Sequence, residues 1–201
     1  MKIMKENKAA NQGFTVMEMM ITLAVFAIMS LVAVPYTLGW RKAGIVNTVA
    51  MAVMSDLQEA KSLSIAKNSN VIVAYDISEK TYRFYLDENG LGIDESNLVK
   101  SVTLSSIHSG IVFGYVPGPG IDGDDISGAI VMGSTSEPIR CVFRPDGTVI
   151  NRGTIYLIPA TDLYSVPERQ KAIHISSIGR ISKWGYDASG GLVPWKEHLY
   201  E

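Results

Sequence analysis

The sequence predicts an α+β protein: one long N-terminal helix, apolar in its first half and amphipathic in its second, packed against a β-rich head. Three observations predict it. The 21 residues from Phe14 to Val34 carry a single charge, Glu18. From Val46 to Ser64, apolar and small residues recur in steps of three and four. Beyond residue 70 the period changes to two, in short runs separated by Gly, Pro, Asn and Asp.

The first 13 residues, MKIMKENKAANQG, form a short polar leader in which three lysines face one glutamate. The apolar run that follows would be about 31 Å long as a helix, against a hydrocarbon core of roughly 30 Å. The basic flank ahead of it predicts a cytoplasmic N-terminus and a single pass, with everything after Val34 on the far side of the membrane. An ordinary secretory signal has a shorter apolar stretch and small residues after it. Here the small residue, Gly13, stands before the run. A cut after Gly13 would remove the leader and keep the helix. A plain single-pass anchor is the competing reading.

Glu18 separates the two. A carboxylate inside a membrane helix costs about 2.5–3.5 kcal/mol on insertion scales. The run contains no Lys, Arg or His. A cut after Gly13 would create a cation, the α-amino group of Phe14, at i−4 from Glu18 on the same helix face. The pairing amine could be the chain's own or that of a neighbouring copy, and the second option would fix axial register.

Pro35 removes a backbone donor and predicts a kink near Ser30–Leu31. Beyond it, Val46, Val49, Val53, Leu57, Ala60 and Ser64 line one face, while Asn47, Asp56, Gln58, Glu59 and Lys61 avoid its middle. The strand runs are VIVAYDI, TYRFYLD, LVKSVTL, IVFGYV, AIVMG, IRCVFRP, TVI, TIYLIPA, KAIHISSIG and RISKW. The predicted division is a leader 1–13, a helix 14–67 with its membrane part at 14–34, a head 68–185 and a loosely ordered tail 186–201 that Trp195 could anchor.

The net charge of −2 gives no overall attraction to nucleic acid or anionic lipid. The single cysteine, Cys141, excludes an internal disulfide and reads as a small strand hydrophobe. No P-loop, GxSxG, CxxC or HExxH is present, and His108 and His174 are isolated, so no enzymatic activity and no cofactor are expected. Asp122, Asp124 and Asp125 invite a calcium test, but Ile126 stands where an EF-hand loop needs an oxygen ligand, and a solvated loop is preferred.

GFTVME at Gly13–Glu18, with the apolar helix behind it and Pro35 twenty-two residues beyond the junction, resembles the cleavage and methylation motif of type IV pilins and type II secretion pseudopilins. The C-terminal half is similar to the end of the GspH/FimT group: Phe143 to Gly147, Gly153 to Ile155, and Gly179-Arg180-Ile181 match its pattern. The resemblance implies cleavage between Gly13 and Phe14 by a prepilin peptidase that also N-methylates Phe14. It further implies a bacterial inner-membrane precursor with a periplasmic head, an inner-membrane assembly platform, and other pseudopilins or pilins as partners in a pseudopilus. Some FimT-like minor pilins of type IV pili serve DNA uptake and carry G-R-x-R. Here Ser182 replaces the second Arg, leaving Arg180 and Lys183 as the candidate nucleic-acid contacts. Losing the leader's net +2 takes the chain from −2 to −4, so solvated strand charges are preferred and nucleic acid is not an expected partner.

Overall fold

The computed structural model describes residues 14–90, 92–133, 138–191 and 193–197; within the long helix, the side chains of residues 32–40 are not described. Helix α1 spans Val16–Lys67. The chain divides into two compact units, Met1–Trp40 and Arg41–Glu201. In the first, every described side chain from Phe14 to Leu31 is exposed. Among the described residues no helix is long and apolar enough to cross a membrane. The expected span is described with its side chains only through Leu31, and the side chain of Pro35, the residue expected to kink the helix near Ser30–Leu31, is among those not described.

In the second unit, the predicted stripe on α1 is the buried one. Val46, Val49, Val53, Leu57, Ala60 and Ser64 are each at most 1% exposed, and Ala50 joins them. Burying a Val or Leu side chain contributes about 1.5–3 kcal/mol, so this face outweighs the helix weakness introduced by Gly44, about 1 kcal/mol. Ser64 ends the stripe, donating its hydroxyl to the carbonyls of Lys61 and Arg144.

Among the described residues eleven strands follow, all paired antiparallel: β1 (Asn70–Asp76), β2 (Thr81–Asp87), β3 (Leu98–Thr103), β4 (Ile111–Phe113), β5 (Ile130–Met132), β6 (Ile139–Phe143), β7 (Val149–Ile150), β8 (Gly153–Pro159), β9 (Lys171–Ile175), β10 (Ile181–Tyr186) and β11 (Trp195–Glu197). They form two sheets, β3-β2-β1-β6-β7 and β11-β10-β9-β8-β4, with β5 also on β8. One continuous core joins the α1 stripe to Val71, Val73, Tyr82, Phe84, Cys141 and Phe143 of the first sheet and to Ile155, Leu157, Ile173 and Ile175 of the second. The centre of β1 is buried on both faces, because Ile93 covers the outward Ile72 and Ala74; its sequence is accordingly an apolar run rather than an alternation.

Ten of the strands fall on the ten predicted runs. The tail is more ordered than expected, and Trp195 anchors it. Residues 195–197 form β11, paired with β10, and Trp195 is 4% exposed with its indole Nε1 donating to the Pro119 carbonyl at 2.8 Å. The 186–201 segment is therefore part of the head through Glu197. Trp195 closes a second small core with Tyr156, Ala172 and Ile126, the last contributed by the Gly/Asp-rich loop.

Two of the motif glycines have steric explanations. A Cβ on Gly153 would stand 1.9 Å from the Val131 carbonyl oxygen, where β5 pairs with the start of β8. Gly179, at φ +73°, would place a Cβ 2.0 Å from the Gly147 carbonyl oxygen. At that corner the β9–β10 turn meets β7 through the Val149 amide and the Ser177 carbonyl, and Lys61 of α1 donates to the Gly179 carbonyl at 2.8 Å. Replacing Gly153 by Ala should lower stability by roughly 2–3 kcal/mol. Gly44→Ala, where the added Cβ meets nothing within 4 Å, should raise it by up to about 1 kcal/mol. Urea unfolding of the detergent-solubilised protein measures both; equal midpoints for Gly153→Ala and the parent would contradict the steric explanation.

Candidate functional site: the helix N-terminus

Gly13 lies outside the described residues. Phe14 is 79% exposed and precedes the helix. The first turn of α1 is organised by Thr15. Its hydroxyl oxygen accepts the Glu18 amide at 3.2 Å, and its carbonyl accepts the Met19 amide at 3.2 Å. Thr15 is thus an N-cap, and Thr15 to Glu18 has the spacing of a capping box, T-x-x-E. The signal stood in the sequence, one residue past the junction, and gives Thr15 a role that attention to Glu18 alone had missed. The cap fixes where the helix starts, and so fixes Glu18 in its first turn, one turn beyond Phe14.

Around this turn the surface is apolar. Val16, Met17, Met20, Leu23, Phe26, Met29 and Leu31 are all more than half exposed. Helix N-termini attract carboxylates by about 0.3–1 kcal/mol at the surface. That is less than the cost of carrying Glu18 into an apolar environment, so the helix N-terminus leaves most of that cost unmet.

The second group of candidate residues is not brought together as a basic face. Lys183 is 8% exposed on the helix-facing side of the second sheet, and its Nζ donates to Asn47 Oδ1 of α1 at 2.8 Å. The expectation of a solvated strand charge is corrected there: strand parity places Lys183 with Ile173, its partner across the ladder. Arg180 is exposed but paired with Glu197 Oε1 at 2.5 Å, a residue of the strand that the sequence did not reveal. Arg169 is committed to Asp162 at 2.8 Å. Lys171 has its ammonium pKa lowered, by burial first and by Lys183 second.

The remaining polar candidates are placed structurally. Cys141 is buried beside the Tyr75 hydroxyl, and burial pushes its thiol up to about 12, away from thiolate chemistry at neutral pH. His174 shares a 3.1 Å hydrogen bond between Nδ1 and Thr154 Oγ1, and burial lowers its pKa, which favours the neutral ring. His108 Nδ1 accepts the Gly110 amide within a turn. Asp122, Asp124 and Asp125 line a shallow depression with Thr154 and Tyr156. Among the described residues no group of three or more His, Cys, Asp or Glu is placed to hold a metal ion.

Lys183→Ala should cost about 1–3 kcal/mol, because it leaves the Asn47 carbonyl oxygen without its buried donor. It should leave nucleic-acid retention on a filter unchanged; a loss of retention without a loss of stability would return Lys183 to the surface.

No curated protein matches the chain. Among solved structures, the minor pseudopilin EpsH from the type 2 secretion system of Vibrio cholerae is similar at 12% identity and a TM-score of 0.47, over 70% of this chain and 96% of that one. Residues 8–34 match the prokaryotic N-terminal methylation motif, and this capped, apolar segment with Glu18 in its first turn is of the prepilin kind.

Proposed function

We propose that the protein is a minor pseudopilin of a type II secretion system, with no catalytic activity of its own. It is inserted in the inner membrane with its N-terminus cytoplasmic and its head periplasmic. A prepilin peptidase cuts between Gly13 and Phe14 and methylates Phe14. The mature chain then joins other pseudopilins in a short periplasmic pseudopilus, built by an inner-membrane platform.

The observation that carries this reading is Glu18 in the first turn of an exposed apolar helix, inside the matched motif. Before the cut, the Phe14 nitrogen is a neutral amide. Afterwards it is an amine, and a neighbour's amine is the counter-charge that Glu18 lacks within its own apolar run. An isolated carboxylate would oppose transfer from lipid into a packed helical core, and a pair spanning two subunits permits it at one axial offset.

A minor pilin of a type IV pilus, including one concerned with DNA uptake, shares the motif and the helix. Neighbouring secretion genes or pilus genes separate the two, and the burial of Lys183 and pairing of Arg180 disfavour the DNA role at those residues.

Replacing Gly13 by a bulky residue should leave an unprocessed precursor, read as a mass still including the leader; a mature N-terminus at Phe14 in that variant would contradict the cleavage site. Glu18→Ala should insert and be cleaved normally but enter sheared filaments at a small fraction of the parent level. Parent-level incorporation would remove the register role while leaving the processing site intact.

A further inference from the structure

Asp162 is the one carboxylate among the described residues that is buried, at 4% exposure. It ends the short turn Ala160–Asp162 after β8. Arg169 Nη1 donates to its Oδ2 at 2.8 Å, and Thr161 Oγ1 and Lys42 Nζ donate to its Oδ1 at 3.0 and 3.3 Å. Lys42 also donates to Thr161 Oγ1 at 3.0 Å. The Asp162 carbonyl takes the amides of Ser165 and Val166, so the loop is folded around this residue. Burial alone would raise the carboxyl's pKa; Arg169, Thr161 and Lys42 together hold it below the usual range. The carboxylate is therefore charged at neutral pH, and its charge is satisfied partly by the head and partly by α1.

The α1 end of this cluster is the less secure. Lys42 is the first α1 side chain, among the described residues, that makes a hydrogen bond to the head. Between it and Val46, only Ile45 packs against the core, and it is partly buried. Gly44 has nothing within 4 Å of its would-be Cβ and is a poor helix former. From Val46 onward the helix is held by side chains with essentially no exposure.

We infer that the Lys42–Asp162–Arg169 cluster is a latch that holds the turn 41–45 of α1 helical on the head, and that releasing it frees this turn while the helix from Val46 onward stays packed. The head then has two states at its entry point, differing by one helical turn. Arg169 stays on Asp162 in both states, so the open state leaves no unpaired buried carboxylate. The inference concerns the head alone and stands whether or not the chain assembles into a filament.

Hydrogen exchange followed by mass spectrometry on the full chain in detergent tests it, comparing the parent with Lys42→Met and Asp162→Asn. In both variants peptides covering residues 41–45 should exchange about tenfold faster or more, with those covering 49–60 unchanged. Lys42→Met decides the matter, because it keeps the Asp162–Arg169 pair and so spares the head even if Asp162→Asn loosens it. Unchanged exchange at 41–45 in Lys42→Met would overturn the latch. So would faster exchange extending through 49–60 in that variant, since the pair would then support the whole core rather than one turn.

Discussion

The head depends on one stripe of side chains along α1. Val46, Val49, Ala50, Val53, Leu57 and Ala60 are common to the inner faces of both sheets, so neither sheet has a complete core without them. Polar groups at the edges of this stripe then find partners on the strands. Asp56 accepts the Tyr82 hydroxyl at 2.5 Å and the Lys100 ammonium at 2.8 Å, Lys61 reaches the Gly179 carbonyl, and Asn47 receives Lys183. These contacts fix the rotation of the helix, which apolar packing alone leaves loosely determined. Burial supplies most of the energy, and the polar rim selects one orientation.

The two stretches of α1 face opposite demands. From Val46 to Ser64 the apolar face is enclosed by the chain's own strands, and nothing further is needed to cover it. From Phe14 to Leu31 the apolar side chains are exposed all round, and a helix of that kind is stable only in lipid or against other helices. Glu18 bears on which. The helix N-terminus offsets part of its cost, by an amount smaller than the cost itself; the Thr15 cap bonds the Glu18 amide and not its carboxylate. The balance calls for a cation that the apolar run does not contain, and cleavage at the matched motif would make one.

The motif glycines of the C-terminal half belong to the same economy of close packing. Gly153 lets β5 pair closely alongside the start of β8, and Gly179 lets the β9–β10 turn rest on Gly147 beside Lys61. Each marks a backbone-to-backbone approach between elements distant in sequence. They carry architecture rather than chemistry. The loop from Pro117 to Ser127 is similar in kind, lying over the second sheet with Ile126 buried and the Pro119 carbonyl bonded to Trp195.

Much was fixed by local pattern alone. The apolar run, the six-residue stripe and ten of the strands were all readable, because helices and strands impose periods of 3.6 and 2 on whatever they bury. The T-x-x-E cap was readable too, and was overlooked beside the charge it contains. Other features were decided only in three dimensions. Lys183 looked like a solvated charge until strand parity turned it towards α1, 136 residues away in sequence. Arg180 looked free until β11 brought Glu197 to it, and Trp195-Lys196-Glu197 carries one apolar residue beside two charges, with no alternation to mark a strand. Asp162 had no distinguishing neighbourhood until Lys42 and Arg169 converged on it. A periodic pattern records which face of an element is buried; which charges meet across that buried face depends on contacts between distant residues, and those exist only once the chain has folded.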